Sequence, residues 1–416
     1  MLRIGIVGCG RILNAHLQGY KLLRELGVDS FRITALCARQ KDDALMFLQR
    51  GEGPEPRPPV LDPATGDPLA APHTYLSDFQ DDVLPSIFTD YRELIVSGQV
   101  DAINDLTTLS QHHQVGIAAL EAGLHLLTEK PLALTVRAAR RLVDLAEARG
   151  LTLGVVENVR QATAVRAAAW AVRHGLIGDV QLALMGSLGG LWSPDRVAAD
   201  TPWRHQRLLG GGGGSIDIGV HQMHWMRYVV GEVAAVSALA RTLEPVRYRR
   251  DVTGHNTEKV DADVDDTYLA TLDFANGAAG QLWWSWALHG APLAIPGSPV
   301  VFGTAGSIAG GEIVRDDGSR ESLERAFEQG LSAADREQFF PMGLRDPFAI
   351  QNLDWLRAIE QGRDPETSGV EGLRDLACAF AILESSALGR PVSLDEMLSH
   401  AVDYYQRPID EHYGLV

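Results

Sequence analysis

MLRIGIVGCGRILNAH, residues Met1 to His16, is the stretch that decides how this chain is read. An apolar run, Ile4–Val7, ends on Gly8-Cys9-Gly10, and a helix-like segment from Ile12 to about Leu26 follows at once. In an open α/β sheet this order turns backbone N–H groups at a helix N-terminus toward a dinucleotide pyrophosphate. Gly8 would serve the tight turn, and Gly10 the close approach of backbone to phosphate. Leu13 stands at the third fingerprint position in place of glycine, so a bare strand–turn–helix junction stays open as an alternative.

The pattern repeats outward from this point. Strands are expected at Phe31–Cys37, Asp101–Leu106, His125–Thr128 and Leu151–Val156. Helices are expected over about Asp42–Arg50, Gln114–Ala122 and Thr135–Arg149, the last with Thr135 as N-cap. Such βα units imply a doubly wound parallel sheet, a Rossmann domain over residues 1–156. One excursion interrupts it. Residues 51–73 carry prolines at 54, 56, 58, 59, 63, 68 and 72, which preclude a regular helix or central strand. It reads as a surface loop, or as a lid or subunit contact.

After about Glu157 the rhythm changes. Thr267–Phe274 alternates with a period of two, Asn276-Gly277 signals a two-residue hairpin, and Gln281–Trp286 is the return strand. Residues 157–416 are therefore expected to form an α+β domain with a large, mostly antiparallel open sheet. Alternation puts Trp284 and Trp286 on one side of it and Trp283 on the other. Helical spacing recurs at Asp354–Glu360 and Leu373–Leu388, with Gly389 as a stop.

Composition narrows the function classes. The net charge of −17 argues against a nucleic-acid partner, which needs a basic face. Cys9, Cys37 and Cys378 match no metal or redox spacing, and no metal site is expected. With no signal-peptide pattern and no membrane-length apolar run, the expectation is a cytoplasmic protein without a membrane partner.

Four further features bear on chemistry. Cys37-Ala38-Arg39 ends the second strand, where a carboxylate would hold the ribose 2′-OH of NAD. Ala38 removes that acid and Arg39 offers a planar fork to the 2′-phosphate of NADP, so NADP is the expected cofactor, with NAD as the alternative. Thr107, Thr108 and Ser110 lie past the next strand end, as ribose or phosphate contacts or as helix caps. In Glu129-Lys130-Pro131, proline holds Lys130 out of the α region at a strand's carboxyl end, where its ammonium would polarise a substrate oxygen. In Gly210–His221 (GGGGGSIDIGVH), Asp217 and His221 are four apart, one helical turn. Asp217 would orient the imidazole, and His221 would move a proton. A capping or packing pair is the alternative.

Taken together, GIVGCGRILNAH, VDAIND with His113 downstream, AGLHLLTEKPLA, VVENVR, HGLIGDV, WRHQRLLGGGGGSIDIGVH and DFANGAAGQL resemble the Gfo/Idh/MocA oxidoreductases nearly end to end. The resemblance implies a catalytic group of Lys130, Asp217 and His221. It implies cofactor contacts at Gly8, Gly10, Arg11, Ile12, Arg39, Ser110, His113, Glu129 and Lys130, and places Asn158 and Trp203-Arg204 along the nicotinamide or substrate pocket. Leu109-Ser110 stands where Pro-Asn is usual. His224 stands where aspartate is common, and is expected to alter substrate contacts. The implied reaction is hydride transfer between NAD(P) and a sugar, polyol or related carbohydrate, in a homo-oligomer (dimer or tetramer) formed through the C-terminal sheet. An NAD-dependent glycosidase using transient oxidation, and a non-catalytic dinucleotide or sugar sensor, are the alternatives.

Overall fold

The structure is a computed structural model, and it describes residues 1–58, 62, 64, 66–189, 201–251, 253 and 255–416. Pro59 and Pro63 of the proline-rich excursion lie outside the described residues. The chain divides into two compact units. The first holds residues 1–132, 139–162 and 336–372; the second holds 133–138, 163–335 and 373–416.

The first unit is built on β1 (Leu2–Val7), α1 (Leu13–Glu25), β2 (Phe31–Cys37), α2 (Lys41–Leu45), β3 (Ser86–Phe88), α3 (Tyr91–Val96), β4 (Ala102–Asp105), α4 (Leu109–Glu121), β5 (His125–Glu129), α5 (Val136–Arg149) and β6 (Leu153–Val156). All strand pairs are parallel, in the order β3-β2-β1-β4-β5-β6. Ile4, Ile6, Ile33, Ala35, Leu36, Ala102 and Ile103 are fully enclosed, as a sheet covered on both faces requires. The strand order reverses between β1 and β4, so the crevice at their carboxyl ends is the switch point where such sheets bind ligands.

Several boundaries differ from the sequence expectation. Strand β3 and helix α3 were not foreseen; β3 is three residues long and shows no periodicity. The helix expected over Asp42–Arg50 stops at Leu45 and continues as turns. The helix expected from Gln114 starts at Leu109, so Ser110 and His113 are helical. Thr135 does cap α5, its Oγ1 accepting from Ala138 N at 3.2 Å.

The strands of the second unit are β7 (Val180–Leu188), β8 (Val233–Arg241), β9 (Val246–Arg250), β10 (Asn256–Asp261), β11 (Thr267–Phe274), β12 (Ala279–Ser285), β13 (Leu293–Ala294), β14 (Val300–Gly303), β15 (Gly306–Ala309), β16 (Glu312–Arg315), β17 (Arg320–Ser322) and β18 (Val392–Ser393). The main sheet runs β17-β16-β15-β14-β7-β12-β11-β8-β18, with the short β13 on β7, while β9 and β10 pair apart from it. Among its pairs, β12 on β7 is parallel and the others are antiparallel. Strand β11 alternates as read: Tyr268, Ala270, Leu272 and Phe274 are buried, while Leu269, Thr271 and Asp273 face out. The hairpin turn differs from the two-residue form. Gly277 N donates to Phe274 O and Phe274 N to Ala278 O, with Gly277 alone at positive φ (86°). This is a three-residue loop with the glycine in the left-handed position, and Asn276 instead ties the turn to Val230 O at 2.9 Å. Trp283 lies over Gly186 of β7 and Trp284 against Gly214, on opposite faces. Trp286 falls past the strand end, buried edge-on to His205.

Candidate functional site

The first unit presents a continuous rim at the carboxyl ends of β1, β2, β4 and β5. Gly8 has φ +103°, and a Cβ there would lie 2.5 Å from Leu106 O, just past β4, so only glycine closes this turn. A Cβ on Gly10 would meet nothing within 4 Å, which leaves open space in front of the turn. Helix α1 follows with Ile12 at its N-cap and no side-chain cap. An open glycine beside an uncapped helix N-terminus fits a pyrophosphate. Ala38 is buried and Arg39 exposed past the end of β2.

Past β4, Thr107 turns inward. Its N–H and Oγ1 both donate to Asp105 Oδ1, at 3.0 and 2.7 Å. Burial pushes the Asp105 carboxyl up, against the lowering pull of His112 and Thr107. Ser110 and His113 are buried in the first turns of α4. Burial, with His112 and Arg141 nearby, takes His113 down to about 4, so it is neutral near neutral pH. His112, not singled out from sequence, bridges two loops: Nδ1 lies 2.8 Å from Pro131 O and Nε2 3.1 Å from Thr107 O.

At the end of β5, Glu129 is clamped from behind. His16 Nε2 lies 2.9 Å from Glu129 Oε1, and Glu129 Oε2 accepts from Lys130 N at 3.1 Å. Asn104 Nδ2 contacts His16 Nδ1 and donates to Tyr20 OH, at 3.3 and 3.1 Å. Glu129 thus fixes the backbone of Lys130. Sequence quoted His16 but gave it no role; a partner 113 positions away leaves no local signal. Asn158 opens a short 3-10 turn after β6.

The second unit holds the other candidates. Trp203 and Arg204 lie in a 3-10 turn, Pro202–His205, with the Arg204 guanidinium 4.7 Å from the Trp203 ring. Arg204 Nε pairs with Asp217 Oδ2 at 3.2 Å. His205 is buried with neither ring nitrogen hydrogen-bonded. Burial, then Arg247 and Arg204, take it down to about 3. Asp217 ends one short helix, Gly214–Asp217, and His221 belongs to the next, Gly219–Val229. The single continuous turn read from sequence is broken at Ile218, whose carbonyl accepts from both His221 N and Gln222 N.

His224 is corrected outright. It is buried, with Nδ1 2.7 Å from Asp375 Oδ2, and Arg227 Nη1 donates to Asp375 Oδ1 at 2.5 Å. Burial pushes Asp375 up, but His224 and Arg227 outweigh it and hold the carboxyl below its ordinary value. The residue expected at the substrate is a core ion-pair member.

Two family models match this chain. Residues 59–157 match an oxidoreductase family with an NAD-binding Rossmann fold, and residues 165–309 match the GFO/IDH/MocA C-terminal domain. The chain belongs to the Gfo/Idh/MocA family of oxidoreductases. The levoglucosan dehydrogenase of Pseudarthrobacter phenanthrenivorans is 29% identical over 320 residues, covering 72% of this chain and 81% of its own. The myo-inositol 2-dehydrogenase of Thermotoga maritima is 24% identical over 410 residues, covering 95% of this chain and 100% of its own. The crystal structure of an oxidoreductase domain protein from Kribbella flavida superposes with TM-score 0.71 at 22% identity, over 94% of this chain and 99% of that one. Among the described residues, no helix is long and apolar enough to cross a membrane.

Proposed function

We propose that this protein is an NAD(P)-dependent dehydrogenase or reductase of a sugar, polyol or related carbohydrate, with NADP the preferred cofactor. The observation that carries the redox reading is the glycine turn at the switch point, open at Gly10 and followed by an uncapped helix. The carbohydrate class is supported by relatives named for levoglucosan and myo-inositol. Absence of a carboxylate at Ala38, with Arg39 beside it, supports NADP.

When bound, the nicotinamide supplies the hydride acceptor or donor. In oxidation His221 takes the hydroxyl proton, and the Lys130 ammonium stabilises the developing alkoxide. Asp217, charge-balanced by Arg204, orients His221. In reduction His221 or Lys130 returns the proton. Gly8, Gly10, Arg11, Ile12, Arg39, Thr107, Ser110, His113 and Glu129 line the dinucleotide, with Asn158 and Trp203 toward its reactive end. The cofactor role is assigned to the Rossmann portion, residues 1–156, whose compact unit also takes in residues 336–372, and the substrate and subunit role to the rest of 157–416. The three buried free thiols fit a reducing compartment, the cytoplasm.

A panel of sugars and polyols offered with NAD⁺ and with NADP⁺ tests this reading. Reduced nicotinamide should accumulate with at least one of them, faster with NADP⁺. Glycoside cleavage without net reduction would instead establish the glycosidase alternative.

The outer face of the main sheet supports self-association. Leu239, Leu269 and Trp283 are cross-strand neighbours in one row, and both leucines are 45% exposed. A second copy covering this face would bury them. Leu269→Glu is expected to shift the mass in light scattering from oligomer to monomer; a monomeric parent protein refutes the interface.

A further inference from the structure

The proline-rich excursion does not simply loop into solvent. Arg57 Nη1 donates to Cys9 O at 2.9 Å, inside the glycine turn, and Arg57 Nη2 pairs with Asp43 in the first turn of α2. Arg11, directly after the turn, donates in return to Pro58 O. Further along, His73 Nε2 lies 2.9 Å from Met46 O, and Leu76 N donates to Phe47 O at 2.8 Å. The excursion is therefore fastened at its start to the glycine turn and the first turn of α2, and at its end to the turns that follow α2.

We propose that Arg57 is a cofactor-specificity residue: the excursion carries it to the edge where the adenosine ribose lies, and it binds the 2′-phosphate there. The inference deepens the NADP reading above and rests on it. In an open α/β sheet the adenosine ribose lies between the glycine turn and the carboxyl end of β2. Arg57 spans those two walls: Cys9 belongs to the first, and Asp43 N donates to Gln40 O, next to Arg39, on the second. A carboxylate at this edge favours an unphosphorylated ribose and repels a dianion. Pairing with Arg57 neutralises Asp43. A guanidinium has five N–H donors, and Cys9 O and Asp43 take up two of its nitrogens, so donors remain for phosphate oxygens. Arg39, exposed and two residues before α2, adds a second cation. The strand-end rule alone gives Arg39 this task; the fold adds an arginine from 18 positions downstream.

The test is binding, not turnover. Wild type, Arg57→Ala and Arg57→Lys are titrated with 2′,5′-ADP, 5′-AMP, NADPH and NADH by calorimetry, with circular dichroism to establish that each variant is folded. Arg57→Ala is expected to weaken 2′,5′-ADP and NADPH about tenfold or more, and 5′-AMP and NADH less than about twofold, with Arg57→Lys between. Equal losses for all four ligands would make Arg57 a clasp for the turn and overturn the proposal. So would a wild type that prefers 2′,5′-ADP and an Arg57→Ala variant that keeps the preference. A wild type without that preference overturns the NADP reading itself, and this inference with it. The two failures are thus told apart by the wild type alone.

Discussion

Lys130→Met is expected to lower kcat by about 10³-fold while cofactor affinity stays within about twofold, because the ammonium is assigned to charge that exists only in the transition state. A 10³-fold loss corresponds to about 4 kcal/mol, the size found when one preorganised donor to a developing oxyanion is removed. Such an effect needs a donor that pays no reorganisation during the reaction. The root of that side chain is fixed: the Lys130 N–H is held by Glu129, and Glu129 is held by a His16 ring that is itself enclosed against Asn104 and the edge of Phe348. Methionine keeps the length and the apolar stem and removes the charge. Lys130→Arg should recover little, since a planar fork cannot stand in for a point charge of ammonium size. Steady-state kinetics at saturating cofactor, with cofactor Kd measured by fluorescence, decides the matter. A Lys130→Met enzyme with kcat within about fivefold of the parent would remove Lys130 from the chemistry.

What the sequence revealed about this molecule follows the reach of its local signals. Strand β1, the glycine turn and α1 were legible because an apolar run, two glycines and a helical period fall within sixteen residues. Strand β11 was legible because one face is buried and one exposed, which forces a period of two. Strand β3 left no trace, since three residues cannot display a period. The start of α4 was misplaced because hydroxyl residues favour loops and caps alike, and Thr107 spends its hydroxyl on Asp105 rather than on a helix end. The Asp217–His221 spacing suggested one helix, but the chain pauses at Ile218 between two short helices, a break that spacing alone does not record. His224 shows the same limit from the other side: its partner Asp375 is 151 positions away, so a core residue looked like a ligand contact. Candidate residue types could be listed from sequence; which of them answer one another across the fold could not.

The run Gly210–Gly214 is where that distinction has its largest expected effect. A string of five glycines suggests a flexible loop, in which alanine at any position would cost little. The structure makes one of them indispensable. A Cβ on Gly213 would stand only 1.6 Å from the Asp265 carbonyl oxygen, so no side chain fits there without moving that backbone. The Gly213 N–H donates to Asp265 Oδ1 at 2.8 Å, while Ser215 N and Ser215 Oγ reach the same carboxylate at 2.8 and 2.9 Å. Burial pushes the Asp265 carboxyl up, and these bonds pull against it. The neighbouring Asp266 is committed to Leu243 N, Glu244 N and Arg247, so the Asp265 backbone has little freedom to retreat. Gly213→Ala is therefore expected to cost about 4 kcal/mol or more, a drop of roughly 10 °C in Tm. At Gly210 a Cβ would stand 3.2–3.4 Å from the backbone of Trp203 and Arg204, a tight but yielding fit. Gly210→Ala should cost only about 1 kcal/mol. Denaturant unfolding of the two variants side by side separates the readings: a flexible loop predicts two small and similar losses, whereas a close-packed turn predicts a large difference. Because the helix carrying Asp217 begins at Gly214, the same substitution should also disturb the Arg204–Asp217 pair. A Gly213→Ala protein as stable as the parent would show that the glycines are not packed against Asp265, and that Asp217 owes its position to something else.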